Sequence, residues 1–340
     1  MTSSSQSLRS RTVLLIRILL AAGLLIVVFR IFADFHKTVE KLRNASVPLL
    51  LFGLAIAIIG ETLTAYKWKL LLAHLGERLR LRESVRISLI GMFYNNFLPG
   101  SLGGDVARTV FVAERVGGSM RAAASVFMQR NTGLAGLLIV ANLASWIWPE
   151  RIPPVAGRYE LPYLLSFPAV WFAMATAGYV AINLALVSEP LYKLIWKTAQ
   201  GPDHVHVGWR GRLLGALHTL HEEIRYYRSY WSVPLLLSVL TQVIDSTLVY
   251  IASRALGLQL PFHPFLIAVP MVTLAAMLPI SFNGIGLREA GYVLLLASSA
   301  VAPEAAVGIS LIQFSYIAIL SLLGGLLHLH MLHQARASNT

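Results

Sequence analysis

Six long apolar stretches, at 13–32, 48–66, 122–148, 164–187, 233–255 and 305–329, constrain this chain more than anything else in it. Each can cross a hydrocarbon core of roughly 30 Å as a helix, which takes about 20 residues. Lipid offers the backbone no hydrogen bonds, so a crossing segment must pair its own amides and carbonyls, and a helix does so within one segment. The ten-residue alternation of a membrane β-strand does not occur. Composition agrees: 56% of residues are hydrophobic and 13% charged, about half the charged share of an average soluble domain. The sequence predicts an all-α, polytopic integral membrane protein.

The formal net charge is +12. In a soluble protein that balance would point to nucleic acid; here the Lys and Arg residues fall in loops beside anionic headgroups, and no nucleic-acid partner is expected. With the N-terminus inside, nineteen basic residues face the cytoplasm and six face out. That bias predicts a multi-pass inner-membrane protein with both termini cytoplasmic. Arg9 and Arg11 ahead of 13–32 resemble the start of a signal peptide. The apolar region is long for one and no small-residue cleavage site follows, so an uncleaved first span is expected. The chain has no cysteine, which excludes disulfides, thiol catalysis and Cys-based metal sites.

Two stretches break the apolar pattern. FLPGSLGGDVAR occupies 97–108, and MLPISFNGIGLR occupies 277–288, 180 residues downstream. Leu98, Pro99, Ser101, Gly104 and Arg108 recur as Leu278, Pro279, Ser281, Gly284 and Arg288. Pro removes an amide and Gly frees the chain to turn. The flanking segments, 87–98 with 106–116 and 265–279 with 287–301, are short for a crossing. Each break is therefore read as the tip of a hairpin, 87–116 and 265–301, that enters the membrane and returns. One hairpin enters from each face. That makes an inverted repeat, 13–148 against 164–330, within a single transmembrane domain 1–335; full crossing by both hairpins would give eight spans. Leu213, Leu217, Leu220, Ile224 and Tyr227 recur at helical spacing within 188–231, which predicts a cytoplasmic amphipathic segment on the membrane surface.

The breaks are also the expected site. A helix start offers N–H groups and partial positive charge to an anion. Arg108 and Arg288 add guanidinium groups, which suit phosphate because they donate two parallel bonds. Arg130 and Asp245 lie inside spans, where a charge needs a partner or a cavity; so does Glu61. Asp105 and Glu289, beside the breaks, can balance an Arg. A structural Arg130–Asp245 or Arg–Glu289 ion pair is the plainer expectation for these groups. Asn96, Ser101, Gly104, Ser281, Asn283 and Gly284 complete the candidate lining. No HExxH, GxSxG, DxD or GxxxxGK[ST] motif is present, so neither an enzyme nor a nucleotide or metal cofactor is expected. His328, His330 and His333 are read as interfacial rather than metal ligands.

The first break, in NNFLPGSLGGDVAR, resembles the signature of the membrane region of lysylphosphatidylglycerol synthases and their stand-alone relatives. VFMQRNTGL around Arg130 is similar to that family's Glu-Arg helix, with Gln129 where Glu is usual, and LPISFNGIGLREAG to its second loop. The resemblance spans roughly 10–330. It implies a stand-alone member without the synthase domain, and an ATP-independent translocator for a phosphate-bearing or aminoacylated lipid. The partners would be membrane lipids with anionic or zwitterionic headgroups. A membrane-embedded transferase on a lipid-linked substrate, and a non-catalytic partner of a lipid-synthesis enzyme, are the alternatives. Oligomeric state stays open.

Overall fold

The computed structural model describes residues 23, 25–30, 33–97, 103–152, 163–189, 218–219, 221–277 and 284–337. The tips of both breaks, 98–102 and 278–283, lie outside this set, and with them Ser101, Ser281 and Asn283. Most of the first span, 13–32, and most of the 188–231 segment also lie outside it.

Ten α-helices are described. They are α1 (Phe35–Arg43), α2 (Val47–His74), α3 (Leu81–Phe97), α4 (Gly103–Ala113), α5 (Ser119–Ile147), α6 (Pro168–Val187), α7 (Ser232–Ala255), α8 (His263–Met277), α9 (Leu287–Leu296) and α10 (Pro303–Ala337). Four of these, α2, α6, α7 and α10, are both long and apolar enough to span a membrane. Helix α5 matches them in length with 29 residues but carries Arg121 and Arg130. Leu51, Phe52, Ile58, Leu143, Met174, Leu236 and Leu326 are exposed. In water such a surface would be an aggregation hazard; against lipid it is the required one.

The long–short–short–long order α2–α5 is repeated as α7–α10. Exchanging α2 with α7, α3 with α8, α4 with α9 and α5 with α10 maps each substantial packing pair within these units onto another: α3 packs on α10 as α8 does on α5, and α5 on α7 as α10 does on α2. The axis of this exchange lies between α2 and α7. Ser46 N donates to Ala255 O at 2.8 Å. Gly60 meets Ile244, and Lys67 reaches Ser238. The two helices therefore run antiparallel, and the repeat is inverted.

Both broken elements are hairpins. In the first, Asn95 bonds Gly104 near the tip, Arg108 bonds Ser88 in the middle, and Arg115 bonds Glu83 at the mouth. In the second, Gly284 packs on Ala276 and Gly291 on Val272. The first mouth is sealed by Leu72, Leu79, Ile87, Val112, Val116 and Ala122, which form one buried cluster. The end of α2 and the start of α5 are thus on the same side of the protein. At the second mouth Ala252, Phe265, Leu296, Val301 and Ala305 share another cluster. It lies beside Ser46, the opposite end of α2. The hairpins enter from opposite sides. Helix α4 has 11 residues and α9 has 10. At 1.5 Å per residue each is about 15–17 Å long, half a hydrocarbon core, so neither crosses as a helix.

The fold adds one element and corrects two expectations. The polar stretch after the first span contains a helix, α1, because Asp34 caps its start by accepting from Lys37 N at 3.0 Å. That bond holds the Asp34 carboxyl below the usual carboxylate range. Second, α2 continues past residue 66 to His74, because Trp68, Leu71 and Leu72 pack inside the protein. Third, Ile224 and Tyr227, expected on the membrane surface, turn inward against Leu71, Ala124 and Met128, and Tyr227 donates to Leu71 O at 3.2 Å.

Candidate functional site

The first hairpin can fold tightly because Gly91 and Gly104 face each other, so that the backbones of α3 and α4 touch. The contact sets Asn95 Oδ1 2.7 Å from Gly104 N. The amide offered to an anion by the sequence argument is thus already taken by a side chain. At the second break Gly284 and Gly286 adopt positive φ, +73° and +85°, a region costly for residues with a Cβ. There Glu289 Oε2 accepts from Gly286 N at 2.5 Å and Oε1 accepts from Ser310 Oγ at 2.8 Å. Glu289 is buried and acts as the cap of α9. At each break one amide of the helix start, Gly104 N or Gly286 N, is thus already bonded to a side chain, which leaves the arginine side chains as the clearer anion partners.

Arg108 projects from α4 into the space between α2, α3 and α5. Nη1 donates to Gln129 Oε1 at 3.0 Å and Nη2 to Ser88 O at 3.3 Å. The guanidinium lies 5.8 Å from the Trp68 ring centroid. Buried Nε has no hydrogen-bond partner among the described residues. Its repeat counterpart Arg288 is 8% exposed and lies 5.7 Å from the Phe314 ring centroid. Both arginines thus sit on an aromatic face, which holds a guanidinium inside an apolar protein.

Lys67 is the residue that the sequence argument missed. Beside Trp68 and Lys69 it has the composition of an interfacial belt, yet it is 3% exposed. Nζ donates to Gln129 O at 3.1 Å and to Ser238 Oγ at 2.8 Å. Its third N–H has no described partner, and its charge is acted on by Asp245 and Glu61. A signal was present: Gly60, Thr64, Lys67 and Leu71 follow one stripe, small or polar until Leu71.

Asp245 sits halfway along α7, packed near Gly60 of α2, and is exposed. An exposed carboxylate at that depth marks a polar space rather than lipid, because an unsolvated charge there is costly. It lies within electrostatic range of Glu61 and Lys67 and of Tyr292, which in turn is within range of Arg288. Glu61 Oε1 is buried with no hydrogen-bond partner among the described residues; the cations acting on Glu61 are Arg108 and Lys67.

Arg130 pairs with Asp105 at 2.5 Å, joining α5 to α4, rather than with Asp245 as the plainer expectation had it. With the Arg130 side chain 45% exposed, the pair is worth little to the fold. Asp105→Asn is expected to change stability by no more than about 1 kcal/mol, as read by thermal unfolding in detergent. Asn96 donates to Ser321 Oγ of α10 and ties hairpin to helix. Tyr94 and His328 are 2.9 Å apart. Among the described residues no group of three or more His, Asp or Glu is arranged to hold a metal.

Lys67, Arg108, Glu61 and Asp245 therefore form one network where α2, α4, α5 and α7 meet. Arg130–Asp105 flank it on one side and Arg288–Tyr292 on the other. Fold and network together define a polytopic α-helical membrane protein with an inverted pair of hairpins around a charged interior. The chain belongs to the family described as the lysylphosphatidylglycerol synthase TM region, whose model matches residues 14–325. It is also similar to the UPF0104 membrane protein of Methanothermobacter thermautotrophicus, with 22% identity over 327 residues, 88% of each chain. Membership links the chain to membrane lipid handling.

Proposed function

We propose that this protein is an ATP-independent translocator, not an enzyme, and that it moves a phosphate-bearing or aminoacylated lipid across the inner membrane, with both termini cytoplasmic. The observation that carries this is the exposed Asp245 at mid-span, set beside Glu61, Lys67 and Arg108. A lipid headgroup crossing a bilayer needs a polar route at the depth where lipid is driest, and this is where the charges gather. The phosphate would bind Arg108 and Lys67, and Arg288 would receive it from the other hairpin. Asp245 would accept an amine if the headgroup carries one. The acyl chains would remain in lipid. Two hairpins related by an inverted repeat suit alternating access, in which one half rocks against the other about a fixed site.

The test is purified protein in liposomes with fluorescent phosphatidylglycerol, read by chemical quenching of the outer leaflet. Arg108→Ala is expected to slow movement at least about tenfold, as loss of a charge-assisted bond predicts, while the protein stays folded by size-exclusion chromatography. Arg108→Lys is expected to recover only part of the rate, since it lacks the planar fork. A covalently altered lipid would instead identify a transferase. Neither movement nor alteration, from folded protein, would favour a non-catalytic partner of a lipid-synthesis enzyme.

A further inference from the structure

With both carboxylates ionised, Glu61 and Asp245 match Lys67 and Arg108 in number at the centre of the network, and Asp105 is matched by Arg130. An anionic headgroup placed against Lys67 and Arg108 would leave one negative charge in excess. At mid-membrane depth, away from bulk water, an uncompensated charge is unfavourable, and neutralising one buried carboxylate removes it.

Glu61 is the carboxylate built for that change. Its Oε1 is buried and accepts no hydrogen bond among the described residues. Glu289, by contrast, uses both oxygens in holding α9. The charged groups acting on Glu61 are Lys67 from its own helix, Arg108 from α4 and Asp245 from α7. Helix α5 presents the neutral Gln129, whose Nε2 donates to Thr64 O. Helix α3 meets α2 through Ser84, which donates to Ala65 O, and α10 through Tyr316, which donates to Leu50 O. A second orphan lies on the Asp245 side. Gln242 is 6% exposed, and its Nε2 has no hydrogen-bond partner among the described residues. It shares a stripe of α7 with Ser238 and Asp245. Unpaired buried polar atoms on both facing helices mark a place whose hydrogen bonding is incomplete in the resting charge state.

We propose that Glu61 takes up one proton when an anionic headgroup occupies the space beside Lys67 and Arg108, so that lipid and proton cross together. This rests on the translocator reading. The step is a protonation: the Glu61 carboxylate becomes a carboxylic acid, the proton comes from water in the open compartment, and it leaves to water on the other side with the lipid. By linkage, anion binding favours the proton and the proton favours the anion equally. For a lipid of charge −1 the moving unit is neutral. A pH difference therefore drives it and a membrane potential does not.

The experiment uses the full chain in phosphatidylcholine vesicles with trace fluorescent phosphatidylglycerol, with and without a pH difference of one unit. Wild type is expected to shift the labelled lipid toward the alkaline leaflet by up to about tenfold, the ratio that one proton per lipid allows, with no response to a potassium-diffusion potential. In Glu61→Gln the final distribution of the labelled lipid, read apart from the rate at which it is reached, is expected to ignore the gradient. Glu61→Asp, which still titrates, is expected to retain the response; it also guards against a fault specific to the amide. Wild-type movement indifferent to pH, or a gradient response that survives Glu61→Gln, overturns the coupling and leaves the translocator intact. Failure of folded wild type to move lipid at all overturns both.

Discussion

Replacing Lys67 with methionine is expected to abolish lipid movement while leaving the fold as stable as before, or more so. A buried ammonium is costly to desolvate, and a flexible apolar side chain of similar length removes that cost. The groups left behind are not stranded. Ser238 Oγ still donates to Pro234 O, and Gln129 O still accepts from Thr132 Oγ1. Glu61 keeps Arg108 nearby, and Asp245, which faces a polar space, can take a proton. Function should respond in the opposite sense. Lys67 is buried, bonded to α5 and α7 at once, and in range of both carboxylates, so a phosphate entering beside it gains a desolvated cation. Loss of that partner is expected to slow movement by at least about a hundredfold, the scale of a charge-assisted contact of 2–3 kcal/mol or more. Two measurements decide: the lipid-movement rate, and thermal unfolding in detergent. Movement at the wild-type rate would remove Lys67 from the site. A large fall in stability would mean that the ammonium is a structural tie.

The contrast between Lys67 and Arg108 shows what could be read in advance. The breaks were legible because proline and clustered glycine in apolar sequence have few other uses in a membrane, and their recurrence with Arg108 and Arg288 marked an inverted pair. The sequence Lys67-Trp68-Lys69 has the composition of an interfacial belt. Only packing separates the two lysines: Lys67 turns inward with Trp68 beside it, and Lys69 turns out over Tyr66. Hydrogen-bond partners were equally hidden. Glu289 reads as a carboxylate that can balance an Arg; Gly286 takes one oxygen locally, and the loss of the second depends on Ser310, 21 residues away. Asn95, not Asn96, closes the first break, a choice between neighbours that depends on how far α3 has rotated. Spans and breaks are properties of composition along the chain; partners depend on helix rotation, which one sequence does not specify.

Gly104→Ala is expected to be the most damaging methyl that can be added to any of the described glycines. A Cβ at Gly104 would sit 1.9 Å from Gly91 O and 2.7 Å from Asn95 Cγ. The first neighbour is backbone, so no rotamer change can relieve the clash; α3 and α4 would have to separate. Separation would also break the bond from Gly104 N to Asn95 and move Arg108, whose Nε lies 2.6 Å from where a Cβ on Gly91 would be. Overpacking costs about 1–3 kcal/mol, occasionally more, and the lost bond roughly 1 kcal/mol. The expected sum is therefore at least about 3 kcal/mol. Gly324→Ala should behave alike, because its Cβ would fall 2.0 Å from Leu89 O, where α10 crosses α3. Gly178→Ala, in α6, is the control: its Cβ meets nothing within 4 Å, and in a helix it should gain about 0.5–1 kcal/mol. Thermal unfolding of the three variants in one detergent checks the order. If Gly104→Ala unfolded no earlier than Gly178→Ala, the close backbone contact between α3 and α4 would be wrong, and with it the position given to Arg108.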